Sequence, residues 1–99
     1  MKDLAAPLTA FEVERDFTVR EEIGLHARPA ARLAQAAQEF SAEISLGCGN
    51  QRADAKSVLD ILSLSAAKGA VLTLRARGAD AGEAAARLGE IFEDFGADQ

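Results

Sequence analysis

Residues 11–40 read FEVERDFTVREEIGLHARPAARLAQAAQEF, and the change of period inside that stretch decides the fold. In its first part Phe11, Val13, Phe17 and Val19 take odd positions, while Glu12, Glu14, Asp16, Thr18 and Arg20 take even ones. Side chains two apart line one face of an extended chain, so the pattern predicts a half-buried strand. After Gly24 the apolar residues recur at three and four instead: Ala27, Ala30, Ala31, Leu33, Ala34, Ala37 and Phe40. That spacing predicts a helix to about Glu39 with a face made mostly of alanine.

The same two periods alternate through the rest of the chain. Ala42, Ile44 and Leu46 face one way and Glu43 and Ser45 the other, which predicts a second strand. Gly47-Cys48-Gly49-Asn50 is rich in turn formers and closes a hairpin onto a compositionally weak strand near Gln51–Asp54. A short helix is expected from about Ser57 to Ser65. Ala70, Leu72, Leu74 and Ala76 alternate with Val71, Thr73, Arg75 and Arg77 in a fourth strand, and Gly78-Ala79-Asp80 turns the chain. Asp80 followed by Glu83 resembles a capping box for a last helix. That helix carries Ala81, Ala84, Ala85, Leu88, Ile91, Phe92 and Phe95 on one stripe. The order is β-α-β-β-α-β-α. Alternation in every strand favours an antiparallel sheet with one covered and one solvated face, hence an open-faced α+β sandwich with its helices on one side.

Composition sets the outer bounds. The 99 residues leave room for one domain, expected over 11–99 behind a flexible tail at 1–10, and none for separate cofactor and substrate lobes. Eleven basic against 16 acidic side chains give a net charge of −5, which argues against nucleic acid or an anionic membrane as partner. Hydrophobic residues at 48% and charged ones at 27% are globular proportions. The one cysteine, Cys48, allows no internal disulfide and no cysteine-rich metal site, which fits a reducing, cytoplasmic compartment. It lies in a glycine-flanked turn without a cationic neighbour and is given no function. No apolar run approaches a membrane span, and Asp3 and Pro7 break any signal-peptide pattern.

Chemistry concentrates in Ile23-Gly24-Leu25-His26-Ala27-Arg28-Pro29-Ala30-Ala31, where strand gives way to helix. Pro29 suits a first helical turn, where a missing N–H costs nothing. With His26 as N-cap, Ala27, Arg28 and Ala30 offer free amides, which makes an anion site. Histidine is a poor N-cap, and Arg28 places a cation at the positive end of the helix dipole, a penalty of roughly 0.3–1 kcal/mol that a bound phosphate reverses. Arg32 adds a second cation one turn on. Positive surroundings should hold the ring neutral, as a nucleophile toward phosphorus must be. On these grounds alone a structural histidine and solvated arginines remain the commoner explanation. Nothing in the set supplies a general base or metal cluster, so a hydrolase is disfavoured and a group that receives and hands on phosphate is favoured.

Gly24-Leu25-His26-Ala27-Arg28-Pro29-Ala30-Ala31 resembles the phosphorylation-site motif of the HPr family, the histidine-containing phosphocarriers of the phosphoenolpyruvate-dependent phosphotransferase system. Ala55-Lys56-Ser57-Val58-Leu59 and Ala66-Ala67-Lys68-Gly69 resemble two further stretches of that family, and the likeness runs from about Val13 to Gly96. The resemblance implies a four-stranded antiparallel sheet with three helices on one face. It implies that His26 accepts phosphate through Nδ1 from enzyme I and passes it to an enzyme IIA-type protein, with Arg28 steadying the anion. Such a protein is a substrate of phosphotransferase enzymes rather than an enzyme, works as a monomer, and needs no cofactor or metal.

Ser57-Val58-Leu59-Asp60 reads as an N-cap with an acid at the third helical position. By resemblance Ser57 also matches a serine that HPr kinase/phosphorylase modifies in some bacteria. The short helix carries Val58, Leu59, Ile61, Leu62 and Leu64, too many apolar residues to bury against one sheet face, so part of it should form a docking patch. The family implicates Val58, Leu59 and Leu62 with Leu25. Lys68 before Gly69 is expected to end that helix. Ile23 replaces a small polar residue common in sugar-transport members and looks more like the nitrogen-branch NPr type. Ser65 stands where glycine often ends the short helix, so that terminus is expected to be reshaped or extended. Two functions follow: a carrier feeding sugar transport, or a regulatory module whose phosphorylation state controls partner proteins.

Overall fold

The computed structural model describes residues 11–21 and 24–97, so the expected tail at 1–10 and the apolar substitution Ile23 lie outside the described residues. Strands and helices follow in the expected order: β1 (Phe11–Thr18), α1 (Ala27–Ala37), β2 (Glu43–Cys48), β3 (Gln51–Asp54), α2 (Val58–Ser63), β4 (Val71–Gly78) and α3 (Ala81–Ala97). The strands pair antiparallel in the order β1-β4-β2-β3. The period-two residues set the register. Leu46 faces Leu74 and Ile44 faces Ala76 across β2 and β4, while Phe17 faces Leu72 across β1 and β4. Leu46, Leu72, Leu74, Leu33, Ile61 and Leu88 are fully buried between sheet and helices. Each such side chain contributes about 1.5–3 kcal/mol of burial.

The stripe on α3 is as the sequence predicts: Ala81, Ala84, Ala85, Leu88, Ile91 and Phe95 are buried. Phe92 stacks on Phe17 with centroids 4.6 Å apart and planes 12° from parallel, tying α3 to the edge strand. On α1 the buried face is rotated from the predicted one. Ala30, Leu33, Ala34 and Ala37 are buried as expected, but Pro29 and Ala36 join them, while Ala27 is exposed and Ala31 half-buried. Ala27 starts the helix and has no turn ahead of it to cover its methyl group.

The ends of the elements depart from expectation in three places. Asp80 turns its carboxylate away from a reciprocal cap with Glu83: Oδ2 accepts from the Ser41 amide at 2.9 Å and Oδ1 from the Ala42 amide at 2.8 Å. Those contacts hold the start of β2 to the start of α3, and the Ser41 hydrogen bond chiefly draws the Asp80 carboxyl below its ordinary range. The helix α2 ends at Ser63 with Leu64 as its cap, so Lys68 falls beyond the last turn rather than in it. Ser65 then takes φ of 51°, the left-handed conformation usually left to glycine, and the helix is not extended past Leu64.

Candidate functional site

Two backbone contacts fix the loop between β1 and α1. The Gly24 amide donates to the Glu21 carbonyl at 3.0 Å, and the Leu25 amide donates to the Ala66 carbonyl at 2.9 Å. Gly24 is required on two counts. Its φ is 78°, and a Cβ there would lie 2.5 Å from the Ala66 oxygen and 3.1 Å from the Ala67 Cα. The histidine loop is therefore clamped to the segment that follows α2.

His26 is the N-cap of α1 in an extended conformation, φ −125° and ψ −173°, and its side chain makes no capping bond. Its carbonyl accepts the Ala30 amide at 3.0 Å. That corrects the expected trio of free amides. Ala30 is the first residue whose N–H reaches back four positions, Pro29 has none, and Ala27 and Arg28 carry the two without a partner among the described residues.

The imidazole is half-buried, and its Nε2 lies 2.8 Å from Oε1 of Glu21. Side-chain exposure is 35% for His26 and 15% for Glu21, so the carboxylate is the more enclosed partner. A neutral ring that donates Nε2–H keeps its lone pair on Nδ1. The charged group in contact with the ring is thus an anion, not one of the cations the sequence places nearby. Arg28 is exposed in the first turn of α1 with no ion pair among the described residues. Arg32 is committed elsewhere: its guanidinium lies 3.6 Å from Asp94 Oδ2 and 5.2 Å from the centroid of Phe95, so it braces α1 against α3.

Glu21 also lines a small, mostly apolar crevice of about 30 Å³ with Val19, Leu25, Pro29, Phe92 and Phe95, and Thr18 and Arg20 border it too. A wider depression of about 570 Å³ opens on the solvated sheet face among Glu12, Glu43, Arg52, Arg75 and Arg77, and His26 takes no part in it.

Ser57 is the N-cap of α2, its Oγ accepting the Asp60 amide at 3.2 Å. The capping box is not reciprocal, because the Asp60 carboxylate accepts from Asp54 N and the Ser57 amide donates to the Asp54 carbonyl. On α2, Ile61 is buried, Val58 and Leu62 are half-buried, and Leu59 is 79% exposed. Leu25 is half-buried in the loop that adjoins the other end of this helix. Ser57 and the histidine loop thus sit at opposite ends of α2. Cys48 is the half-buried last residue of β2, with its thiol free.

Residues 13–94 match the family model described as the HPr component phosphorylation site of the phosphotransferase system. The chain belongs to the HPr family. It is 44% identical over 70 residues to the phosphocarrier protein NPr of Shewanella violacea, an alignment covering 71% of this chain and 77% of NPr. It is also 38% identical over 95 residues to a multiphosphoryl transfer protein of Xanthomonas campestris pv. campestris, covering 96% of this chain but 11% of that protein's length. Among solved structures, HPr-C-His from Thermoanaerobacter tengcongensis superposes with a TM-score of 0.81 at 36% identity, over 88% of this chain and 98% of that one. The Mycoplasma histidine-containing phosphocarrier protein reaches 0.83 at 27% identity, over 85% and 96%. The open sheet with three helices is therefore the HPr fold, and proteins of this type are substrates of the phosphotransferase system rather than enzymes.

Within this HPr-family site the residue that sequence reasoning passed over is Glu21. Its signal was present, since Glu21-Glu22 stands just ahead of the chain's only histidine. Spacing in a turn does not say which side chain folds back, and the left-handed Gly24 is what returns the ring toward Glu21.

Proposed function

We propose that this chain is a phosphocarrier that takes a phosphoryl group onto His26 Nδ1 from phospho-enzyme I and passes it to an enzyme IIA-type protein. The observation that carries the reading is an imidazole at the open end of α1, with Nε2 engaged by Glu21, Nδ1 without a partner, and the Ala27 and Arg28 amides unpaired in the same turn, all among the described residues. In the transfer, the Nδ1 lone pair forms the new N–P bond while the donor's N–P bond breaks and its electron pair returns to the donor nitrogen. No proton need move. The two amides and the Arg28 guanidinium supply donors for the phosphoryl oxygens, and such fixed dipoles are how loose phosphoryl transition states are stabilised.

Leu25, Val58, Leu59 and Leu62 form the docking surface in this reading, with exposed Leu59 as the anchor for a transient partner. The chain works as a cytoplasmic monomer, and among the described residues no helix is long and apolar enough to cross a membrane. Phosphate on Ser57, placed by HPr kinase/phosphorylase where the host has it, would add close to two negative charges beside this patch and weaken docking. A second reading, favoured by the 44% identity to NPr, is a nitrogen-branch protein that controls partners instead of feeding sugar uptake.

Incubation with enzyme I and phosphoenolpyruvate tests the carrier role. Wild type should gain one acid-labile phosphate by mass and His26→Ala none; equal yields would refute the assignment. Parallel reactions with sugar-branch and nitrogen-branch enzyme I separate the two readings, the faster donor naming the branch.

A further inference from the structure

The carrier reading leaves the ring's other nitrogen without a task, and the contact there is close and sheltered. Glu21 Oε1 lies 2.8 Å from His26 Nε2, within the range of a charge-assisted hydrogen bond. The Glu21 side chain is only 15% exposed and borders a crevice that is mostly apolar, formed with Val19, Leu25, Pro29, Phe92 and Phe95, which Thr18 and Arg20 also line. Fewer waters compete for a carboxylate in such a place, so its hydrogen bond counts for more than one on open surface. Its backbone is held as well, because the Glu21 carbonyl takes the Gly24 amide at 3.0 Å.

We infer that Glu21 is a positioning residue for phosphoryl transfer: its carboxylate holds the Nε2–H tautomer of His26 and stabilises the positive charge that the ring acquires when Nδ1 bonds phosphorus. This rests on the carrier reading and assigns the nitrogen opposite the reacting one. When Nδ1 commits its lone pair to phosphorus, the ring keeps the proton on Nε2 and becomes formally cationic. A carboxylate on that proton offsets the charge as it develops. On the return step the N–P electron pair goes back to Nδ1 and the ring leaves as neutral imidazole, still protonated at Nε2. Retaining that proton is what makes the ring a competent leaving group, so one contact serves both directions. The logic is that of an acid orienting a catalytic histidine through its far nitrogen.

The test uses the full chain, Glu21→Ala, Glu21→Gln and wild type, with two readouts. The first is the initial rate of phosphate uptake from phospho-enzyme I. Loss of a charge-assisted hydrogen bond predicts a fall of roughly 10-fold to 100-fold for Glu21→Ala. Glu21→Gln falls between it and wild type, because an amide oxygen still accepts the ring proton but carries no charge. The second is the NMR signal of the His26 Nε2 proton, expected downfield and slow to exchange in wild type and lost in Glu21→Ala. A packing role alone would leave that signal's loss without a matching fall in rate. Wild-type and Glu21→Ala rates within about twofold of each other, or no protected Nε2 proton in a wild type that accepts phosphate normally, would overturn the inference. Failure of wild type itself to take phosphate would overturn the carrier reading and this inference with it.

Discussion

Replacing Gly24 by alanine tests whether the clamp on the histidine loop is as tight as its geometry states. The residue sits at φ 78°, and the new Cβ would meet the Ala66 carbonyl oxygen at 2.5 Å. The left-handed conformation costs an L-residue about 1–2 kcal/mol, part of it offset by about 0.4–1 kcal/mol from a less flexible unfolded chain. Relief of the contact requires the loop to move off residues 66–67, which breaks the 2.9 Å bond from the Leu25 amide to Ala66. That bond is worth a further ~1 kcal/mol, and forcing the backbones apart adds a similar amount. The total of about 2–3 kcal/mol corresponds to a drop in Tm of roughly 10–20 °C for a domain of this size. Gly49→Ala is the matched control, since Gly49 has φ of 61° but nothing within 4 Å of a Cβ. It should lose only the conformational part, about 1 kcal/mol. Thermal unfolding followed by circular dichroism measures both, and Gly24→Ala should also slow phosphate uptake because His26 moves with the loop. Equal losses of Tm in the two variants would refute the close-approach argument.

Ser65 at φ 51° carries a penalty that glycine would not, so Ser65→Gly should raise Tm by a few degrees, about 0.5–1 kcal/mol net of its unfolded-state cost; a fall would mean that the serine's own contacts outweigh the strain. The Asp80 carboxyl is held below its ordinary range, chiefly by the Ser41 amide, with the Ala42 amide assisting against the opposing effect of burial. A depressed carboxyl stabilises the fold above its unfolded value near 3.8 and ceases to do so as pH falls through its lower folded value. Asp80→Asn should therefore be less stable than wild type at neutral pH, with the gap closing below about pH 4 in acid-unfolding curves. Ser57→Asp should keep the fold, because aspartate also caps a helix, while slowing transfer to an enzyme IIA-type partner; an unchanged rate would remove the regulatory proposal for Ser57.

Most of the fold was legible because burial here follows the chain's own periods. Leu72, Leu74 and Ala76 alternate on β4, and the stripe from Ala81 to Phe95 closes over them without help from distant signals. What the sequence could not show lies where the chain changes direction. Asp80 has the look of a helix cap, yet the amides of Ser41 and Ala42 are left open by the turn between α1 and β2 and take both carboxylate oxygens. Lys68 resembles a C-terminal cation, but α2 stops at Ser63 because Ser65 tolerates the left-handed turn. At the site, the helix start and its anion character were readable from His26, Arg28 and Pro29. The engagement of Ala30 by the His26 carbonyl follows from helix geometry, and counting four residues back would have found it. Glu21 was different in kind. Its contact with His26 depends on the fold of one turn, and charge arithmetic over the neighbouring arginines pointed to a cationic setting instead.

The most direct measurement is the bond to phosphorus itself, read by phosphorus–nitrogen NMR on ring-labelled protein after reaction with enzyme I and phosphoenolpyruvate. Phosphorus coupled to Nδ1 of His26, with the Nε2 proton retained, is the predicted result. Phosphorus on Nε2, or on any residue other than His26, would contradict it.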